Sequence, residues 1–439
     1  MKDMNTKIQF SLIFISLSLV AFAQDTITIS KNELLEKVDD KNLQIKIAEK
    51  TLAVAKADFN EFNALFLPKI SASHTAMMTT NPLMAFGSKL NQEILTAADF
   101  NPALLNNPDK TGNYATRIEV LQPLINIDGL YGRKAAKSKM EAFDLQLERT
   151  KEYLGLEVNK AFMQLQLAYK AVEVLEQANE TAQANLKLIE NYNKQGLLQK
   201  TDLLSVQVRV NEVKNQLQYA KSNVQNASDY LAFLLDDSNE NKVYKPLEAI
   251  EKTIEISTFE TNLSANRKDV LAMDKSVEAY KKMAKMSQMN FLPRLNAFGS
   301  YEMYDTQLFQ TGAKGYTIGA QLSWDIFDGY KSIGKHQKAK AEFQKAKVEA
   351  KQYKAQSQLE LNKTNRQLTD AENKVNLTKL ALEQAQEAYR IRANRFKEGL
   401  EKTTDLLQSE TLQQQKELEY LQAVFEYNFT KKYLEFLTK

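Results

Sequence analysis

Two hydrophobic periods alternate along this chain of 439 residues. Leu154, Val158, Ala161, Leu165, Ala168, Val172 and Leu175 advance by steps of four and three. Leu361, Leu368, Val375, Leu382 and Tyr389 recur at heptad spacing, with Ala371 and Ala385 at the intervening core position. These are the seams that coiled-coil helices bury, and the positions between them are rich in Lys, Glu, Gln and Asn. From Lys335 to Glu398 there is neither proline nor glycine to break a helix. The pattern predicts paired helices over about 130–195 and 201–235, and again over about 330–398 and 403–437. The first would be ~100 Å long at ~1.5 Å per residue.

Elsewhere the period is two. Ile318, Ala320, Leu322, Trp324 and Ile326 alternate with Thr317, Gly319, Gln321, Ser323 and Asp325. Leu295, Ala297, Gly299, Tyr301 and Met303 alternate with a more polar set. Ile70, Ala72, His74, Ala76 and Met78 repeat the pattern earlier, as do Tyr114, Thr116, Ile118 and Val120 against Ala115, Arg117 and Glu119. Strands are therefore expected at about 68–80, 114–126, 294–305 and 316–327, each long enough to cross a bilayer when tilted. Four strands do not close a barrel, and lipid tolerates no open sheet edge. A membrane-crossing barrel would have to be shared between subunits, and three copies would supply twelve strands.

The chain also repeats itself. GLLQKTDLL at 196–204 returns as GLEKTTDLL at 399–407, Phe66-Leu67-Pro68 as Phe291-Leu292-Pro293, and Asp128-Gly129 as Asp328-Gly329. Each glycine of the nine-residue phrases is a left-handed helix stop. Thr201-Asp202 and Thr403-Thr404-Asp405 are expected to cap the next helix and place negative charge in its first turn. Each phrase is thus the apex of a helical hairpin. The chain reads as two copies of one unit, 24–235 and 263–439, each with a helix, two strands and a helical hairpin, joined by a segment at 236–262 that carries Pro246.

Composition narrows the chemistry. Hydrophobic residues make up 43% and charged residues 26%, and a mean hydropathy of -0.46 requires much water-facing surface. The 58 basic and 55 acidic residues nearly cancel to +3 without a basic block, so no nucleic-acid partner is indicated. There is no cysteine, which excludes disulfides, thiol nucleophiles, thiolate metal sites and a lipid-modified cysteine. The only histidines are His74 and His336. Neither a metal nor a cofactor is implied, and no paired-acid site stands out, so an enzyme is not expected. His74 reads as an interface or lumen-facing strand residue rather than a ligand. Lys2 and Lys7 precede an apolar run from Phe10 to Ala23 that ends in Ala21-Phe22-Ala23, a secretory signal peptide expected to be cut before Gln24. After residue 23 no run of about 18 apolar residues follows, so any membrane crossing falls to the strands.

The two Phe-Leu-Pro motifs, LSWDIFDGY at 322–330, its looser counterpart LQPLINIDGLYG at 121–132 and the two Gly-Leu apexes together resemble the TolC-like outer-membrane efflux protein (outer-membrane factor) family. The resemblance covers essentially all of the chain after the signal peptide. It implies a mixed α and β membrane protein: a homotrimer whose twelve-stranded β-barrel, four strands per subunit, stands in outer-membrane lipid and continues into a long periplasmic α-helical barrel of coiled-coil hairpins. Residues 236–262 would join an equatorial collar. The implied function is the exit duct of a tripartite efflux or type I secretion system, a passive gated channel in the Gram-negative outer membrane that reaches into the periplasm. An inner-membrane pump would drive export, and a periplasmic adaptor (membrane fusion) protein would dock on Gly196, Leu197, Gly399 and Leu400. Asp405 matches the position of a constricting aspartate ring, and Asp202 a position in the network that holds the closed state.

The chain departs from the family pattern near the gate. Phe396 stands at a tyrosine position, Glu401 at an arginine position and Gln408 at a second aspartate position. Asp405 is open to a gating role or simple helix capping, and both could hold. Trp324 suits an aromatic anchor at the membrane interface or packing at a subunit seam. Loops near 81–112 and 305–315 would lie outside the cell, flexible or weakly ordered. A non-channel periplasmic coiled-coil adaptor or scaffold also accounts for the heptads, but not for four bilayer-length strands. The exported cargo is not written in these features.

Overall fold

The computed structural model describes residues 25–237, 242–251, 262–308, 310 and 312–439. The signal peptide expected at 1–23 and most of the segment at 236–262 lie outside the described residues. In chain order the elements are β1 (Asp25–Ile29), α1 (Lys31–Lys41), α2 (Leu43–Glu61), β2 (Lys69–Thr79), α3 (Pro82–Asn91), α4 (Pro102–Asn106), β3 (Thr111–Ile125) and α5 (Ile127–Lys194). They continue with α6 (Lys200–Leu234), β4 (Lys242–Pro246), α7 (Lys268–Met289), β5 (Arg294–Asp305), β6 (Ala313–Ser323), α8 (Lys331–Lys397) and α9 (Thr403–Thr438). No helix among the described residues is long and apolar enough to cross a membrane.

Two compact units are built from these elements. One comprises the chain up to Glu49, Leu147–Lys268 and Lys354–Lys439. Here β1 pairs in parallel with β4, from Asp25 opposite Lys242 to Ile29 opposite Pro246. The pair covers a core in which Ile29 and Tyr244 join Leu34 and Val38 of α1, Leu154, Val158 and Leu165 of α5, and Leu231 of α6. Asn42, buried between α1 and α2, donates to the Leu234 carbonyl at 2.9 Å, which satisfies a group at the end of α6. The second hairpin has its own seam: Val375 packs on Ala423, Val424 and Tyr427, and Leu361 on Leu434 and Leu437. Burial of such seams, rather than helix propensity, supplies most of the stability of long helices.

The other unit comprises Lys50–Gln146 and Asp269–Tyr353 and holds an antiparallel sheet in the order β2-β3-β5-β6. Cross-strand partners share a face, so the register sorts the side chains into two sets. Ile70, Ala72, Ala76, Ile118, Val120, Tyr301, Tyr316 and Ile318 share the apolar face; Ser71, Ser73, Thr75, Asn113, Arg117, Glu119, Ser300 and Glu302 share the polar one. His74, opposite Thr116, stands on the apolar face and its Nδ1 lies 2.9 Å from Thr116 Oγ1. Eleven residues in β2 or β6 span ~36 Å of strand, or ~26 Å in height when tilted by ~45°. Pro123 offers no N–H to the ladder, and the β3–β5 register shifts between Pro123 and Ile125.

Two expectations are corrected here. The fourth strand was expected to reach 327, but β6 ends at Ser323, opposite Arg294. Pro293, the residue before Arg294, has no N–H with which to extend that ladder. Trp324 and Ile326 therefore lie beyond the strand. The loop expected to be weakly ordered at 81–112 instead folds into α3, a short turn of 3-10 helix at Ala97–Phe100 and α4. Two of the three Asn-Pro pairs in this segment begin helices: Asn81 and Asn101 accept from the Met84 and Ala103 N–H groups, and Pro82 and Pro102 occupy the first turn.

Candidate functional site at the hairpin tips

Both tips lie in the first unit, and their backbones are alike. Gly196 and Gly399 have φ of 76° and 75°. The Gly196 N–H donates to the Asn193 carbonyl and Leu197 N–H to Tyr192, each at 2.9 Å; Gly399 N–H donates to Phe396 at 3.0 Å and Leu400 N–H to Arg395 at 2.9 Å. This paired closure satisfies the last carbonyls of α5 and α8 and needs a left-handed residue. It also turns the following leucines outward, with Leu197 67% and Leu400 65% exposed.

The side chains make the two tips different. The N-cap of α6 is Gln199, not Thr201, and that of α9 is Lys402, not Thr403. The threonines expected as caps fall inside the helices because each glycine turn releases the chain into helix a residue or two earlier. Asp202 reaches back to accept from the Gln199 N–H at 3.1 Å, so its carboxylate serves its own helix. Asp405 holds the equivalent position in α9 but faces Arg392, whose Nη1 is 4.0 Å from Oδ1. The same Nη1 is 3.7 Å from Glu401 Oε1, and Arg395 Nε is 3.0 Å from Glu401 Oε2. Glu401 thus receives two arginines from α8.

Phe396 is only 2% exposed. It is buried with Ile189, Val206 and Leu406, its ring 6.2 Å from that of Tyr192. The Tyr192 hydroxyl donates to the Lys397 carbonyl at 3.3 Å, so the first hairpin is fastened to the second just below the tip. The structure therefore gathers Phe396, Glu401 and Asp405 at the second tip and leaves Asp202 on the first. Trp324 belongs to the other unit, where its exposed indole donates from Nε1 to the Phe291 carbonyl at 3.0 Å and ties the end of β6 to the Phe-Leu-Pro turn.

A polar network farther from the tips escaped the sequence reading. Arg209 of α6 and Glu410 of α9 are 5% and 4% exposed, with Nε 3.3 Å from Oε1. Asn185 donates to Glu410 Oε2 at 2.7 Å, Arg209 Nη2 donates to Gln414 Oε1, and Gln414 donates to Gln216 at 2.6 Å. Burial pushes the Glu410 carboxyl above its ordinary value, opposed by the Arg209 charge and the two hydrogen bonds. The signal was available: Arg209 lies three residues after buried Val206 and four before buried Val213, and Glu410 lies four after buried Leu406. Charges at seam spacing are carried into the contact between helices, where each needs a partner.

A family model described as outer membrane efflux protein matches residues 34–236 and 261–431. A comparison with curated proteins returns no match. Among solved structures, a membrane protein from Pseudomonas aeruginosa is 16% identical with a TM-score of 0.81, over 93% of this chain and 92% of that one. The Campylobacter jejuni CmeC outer membrane channel is 16% identical with a TM-score of 0.80, over 93% and 85%. The outer membrane protein VceC from Vibrio cholerae is 17% identical with a TM-score of 0.77, over 93% and 96%. At such identities these likenesses speak for the fold.

Proposed function

The chain belongs to the outer membrane efflux protein family, and on that premise we propose that three copies form one passive exit duct through the outer membrane, as part of a tripartite efflux or type I secretion system. The observation that carries this reading is the sheet. It has one apolar and one polar face, strands of bilayer length, and two edges, β2 and β6, each with a single neighbour among the described residues. Joining β6 of one copy to β2 of the next leaves no edge in lipid, puts the apolar face outward and the polar face inward, and closes at twelve strands. The internal sequence repeat, 24–235 and 263–439, follows the same logic, since each half of the chain supplies two of the sheet's strands and one hairpin.

At the other end, the exposed Leu197 and Leu400 offer apolar knobs to a periplasmic adaptor, with Gly196 and Gly399 fixing their direction. Asp405, with Arg392 and Glu401, is the candidate gate, whereas the carboxylate of Asp202, proposed from the sequence for the same role, holds the start of α6 at the first tip. Trp324 suits the membrane interface, its ring exposed and its N–H held. Family membership sets aside the reading of a periplasmic adaptor or scaffold. The test is to express the full chain and fractionate the envelope. A heat-dissociable trimer in outer-membrane fractions that conducts ions in planar bilayers is expected; a soluble monomer would overturn the reading.

A further inference from the structure

The segment between β2 and β3 holds an apolar surface where the rest of the sheet's inner side is polar. α3 packs through Ala85 and Ser88, both buried. Just after it, Gln92 donates from Nε2 to Asn113 Oδ1 at 2.9 Å, the Gly112 carbonyl at 2.8 Å and the Asp305 carbonyl at 3.1 Å. Asn113 shares its face with Arg117, Glu119 and Glu302, where Arg117 Nη1 meets Glu302 Oε1 at 3.3 Å. The helix is therefore seated against the polar face. In a closed barrel that face turns toward the axis, so α3 stands inside the wall.

The outward side of α3 follows from helix geometry. Ala85 and Ser88 define one side, and Leu83, Gly87 and Leu90 fall about 180° away at ~100° per residue. Leu83 is 81% and Leu90 56% exposed. The segment is also fastened at both ends. Asn81 caps α3, and Lys89 reaches Asp99 at 2.8 Å, while Asp99 accepts from the Thr96 N–H and hydroxyl. Two leucines are thus held rigidly over a polar surface.

We propose that Leu83 and Leu90 of α3, contributed by each of three copies, form an apolar constriction at the loop end of the channel that selects what leaves by size and polarity. This rests on the trimeric-duct reading above. A narrow apolar ring obstructs ions and well-hydrated solutes because it is poorly wetted, and it offers apolar solutes a surface to slide past. The Arg117, Glu119 and Glu302 charges farther along the same face would keep the wider lumen wet, so the ring is the step at which polarity is read.

The cysteine-free chain allows single-site labelling. Spin labels on Leu90→Cys and, separately, on Thr75→Cys of the polar wall would be compared by pulsed dipolar spectroscopy in purified trimers. The Leu90 inter-copy distance is expected to be shorter by more than ~10 Å, because a helix ~10–12 Å thick separates that residue from the wall. A Leu90 distance equal to or longer than that of Thr75 would overturn the constriction and leave the duct intact. Absence of any inter-copy distance at Thr75 would overturn the trimer and the constriction with it. In planar bilayers, a bulky neutral methanethiosulfonate added to Leu90→Cys trimers should lower the current in up to three steps. An unchanged current after complete modification by mass would also defeat the proposal.

Discussion

Arg209 Nε and Glu410 Oε1 lie 3.3 Å apart although 201 positions separate them in the chain, and both side chains are almost fully buried. They join α6 of the first hairpin to α9 of the second. Moving two charges out of water is costly, and removing one leaves the other uncompensated, at ~3–5 kcal/mol. Arg209→Gln or Glu410→Leu alone should therefore loosen the two hairpins. Expected readouts are a lower melting temperature of the trimer and longer open times in planar bilayers. The paired variant Arg209→Met with Glu410→Leu should recover stability. A double variant as unstable as the singles would show that the pair is not the cause.

The same site sets a pH dependence. Burial holds the Glu410 carboxyl above its unfolded value, with Arg209 and Asn185 pulling it partly back. Between the unfolded value, near ~4.3, and the higher folded value, the folded state binds more protons than the unfolded one. Stability from this group is then fully present below that window and falls as pH rises through it. Glu410→Gln should flatten this component, read as a smaller change in melting temperature from about pH 4 to pH 7. An unaltered slope would assign the dependence to other carboxylates.

Gly399 and Gly155 should respond in opposite directions to alanine. At Gly399 φ is 75° and an added Cβ meets nothing within 4 Å, so the cost is purely conformational, ~1–2 kcal/mol. At Gly155, inside α5, a Cβ also meets nothing within 4 Å, and alanine should stabilise by ~0.5–1 kcal/mol. Thermal melts of both variants check this. A neutral Gly399→Ala would mean that the tip relaxes into another turn.

Local periodicity made much of this architecture legible. Heptad steps such as Leu361, Leu368 and Val375 locate the buried seams, and the glycines of the repeated phrase locate the turns because no other residue fits that φ without strain. Signals with two physical readings were the ones that misled. Asn-Pro at 81–82 and 101–102 suits either a turn or a helix start, and only the packing of Ala85, Ser88 and Gln92 on the sheet selects the helix. Alternation carried through Trp324 and Ile326, whereas the strand stops where its partner begins, at Arg294 after a proline. The Arg209–Glu410 network was hidden for another reason. A charge at seam spacing looks like surface until the helix that buries it, far away in sequence, is in place.

Asp405 and Asp202 occupy equivalent places in the two tips, yet their carboxylates have different partners. Asp202 accepts from the Gln199 N–H at 3.1 Å, so Asp202→Asn should weaken the start of α6 by ~0.5–1 kcal/mol and leave ion flow unchanged. Asp405 is half-exposed beside Arg392 at 4.0 Å, and Glu401 is shared between Arg392 and Arg395. Exposed ion pairs of this kind add at most ~1 kcal/mol each, so Asp405→Asn should hardly alter the melting temperature. Its effect should appear in conduction. Three carboxylates near a common axis attract multivalent cations, and loss of that charge should reduce block by a trivalent cobalt ammine at the hairpin end. Glu401→Gln frees Arg392 to pair with Asp405 and should likewise weaken the block. Block that persists unchanged in both variants would remove Asp405 from the gate, leaving the Arg209–Glu410 contact as the closure between hairpins.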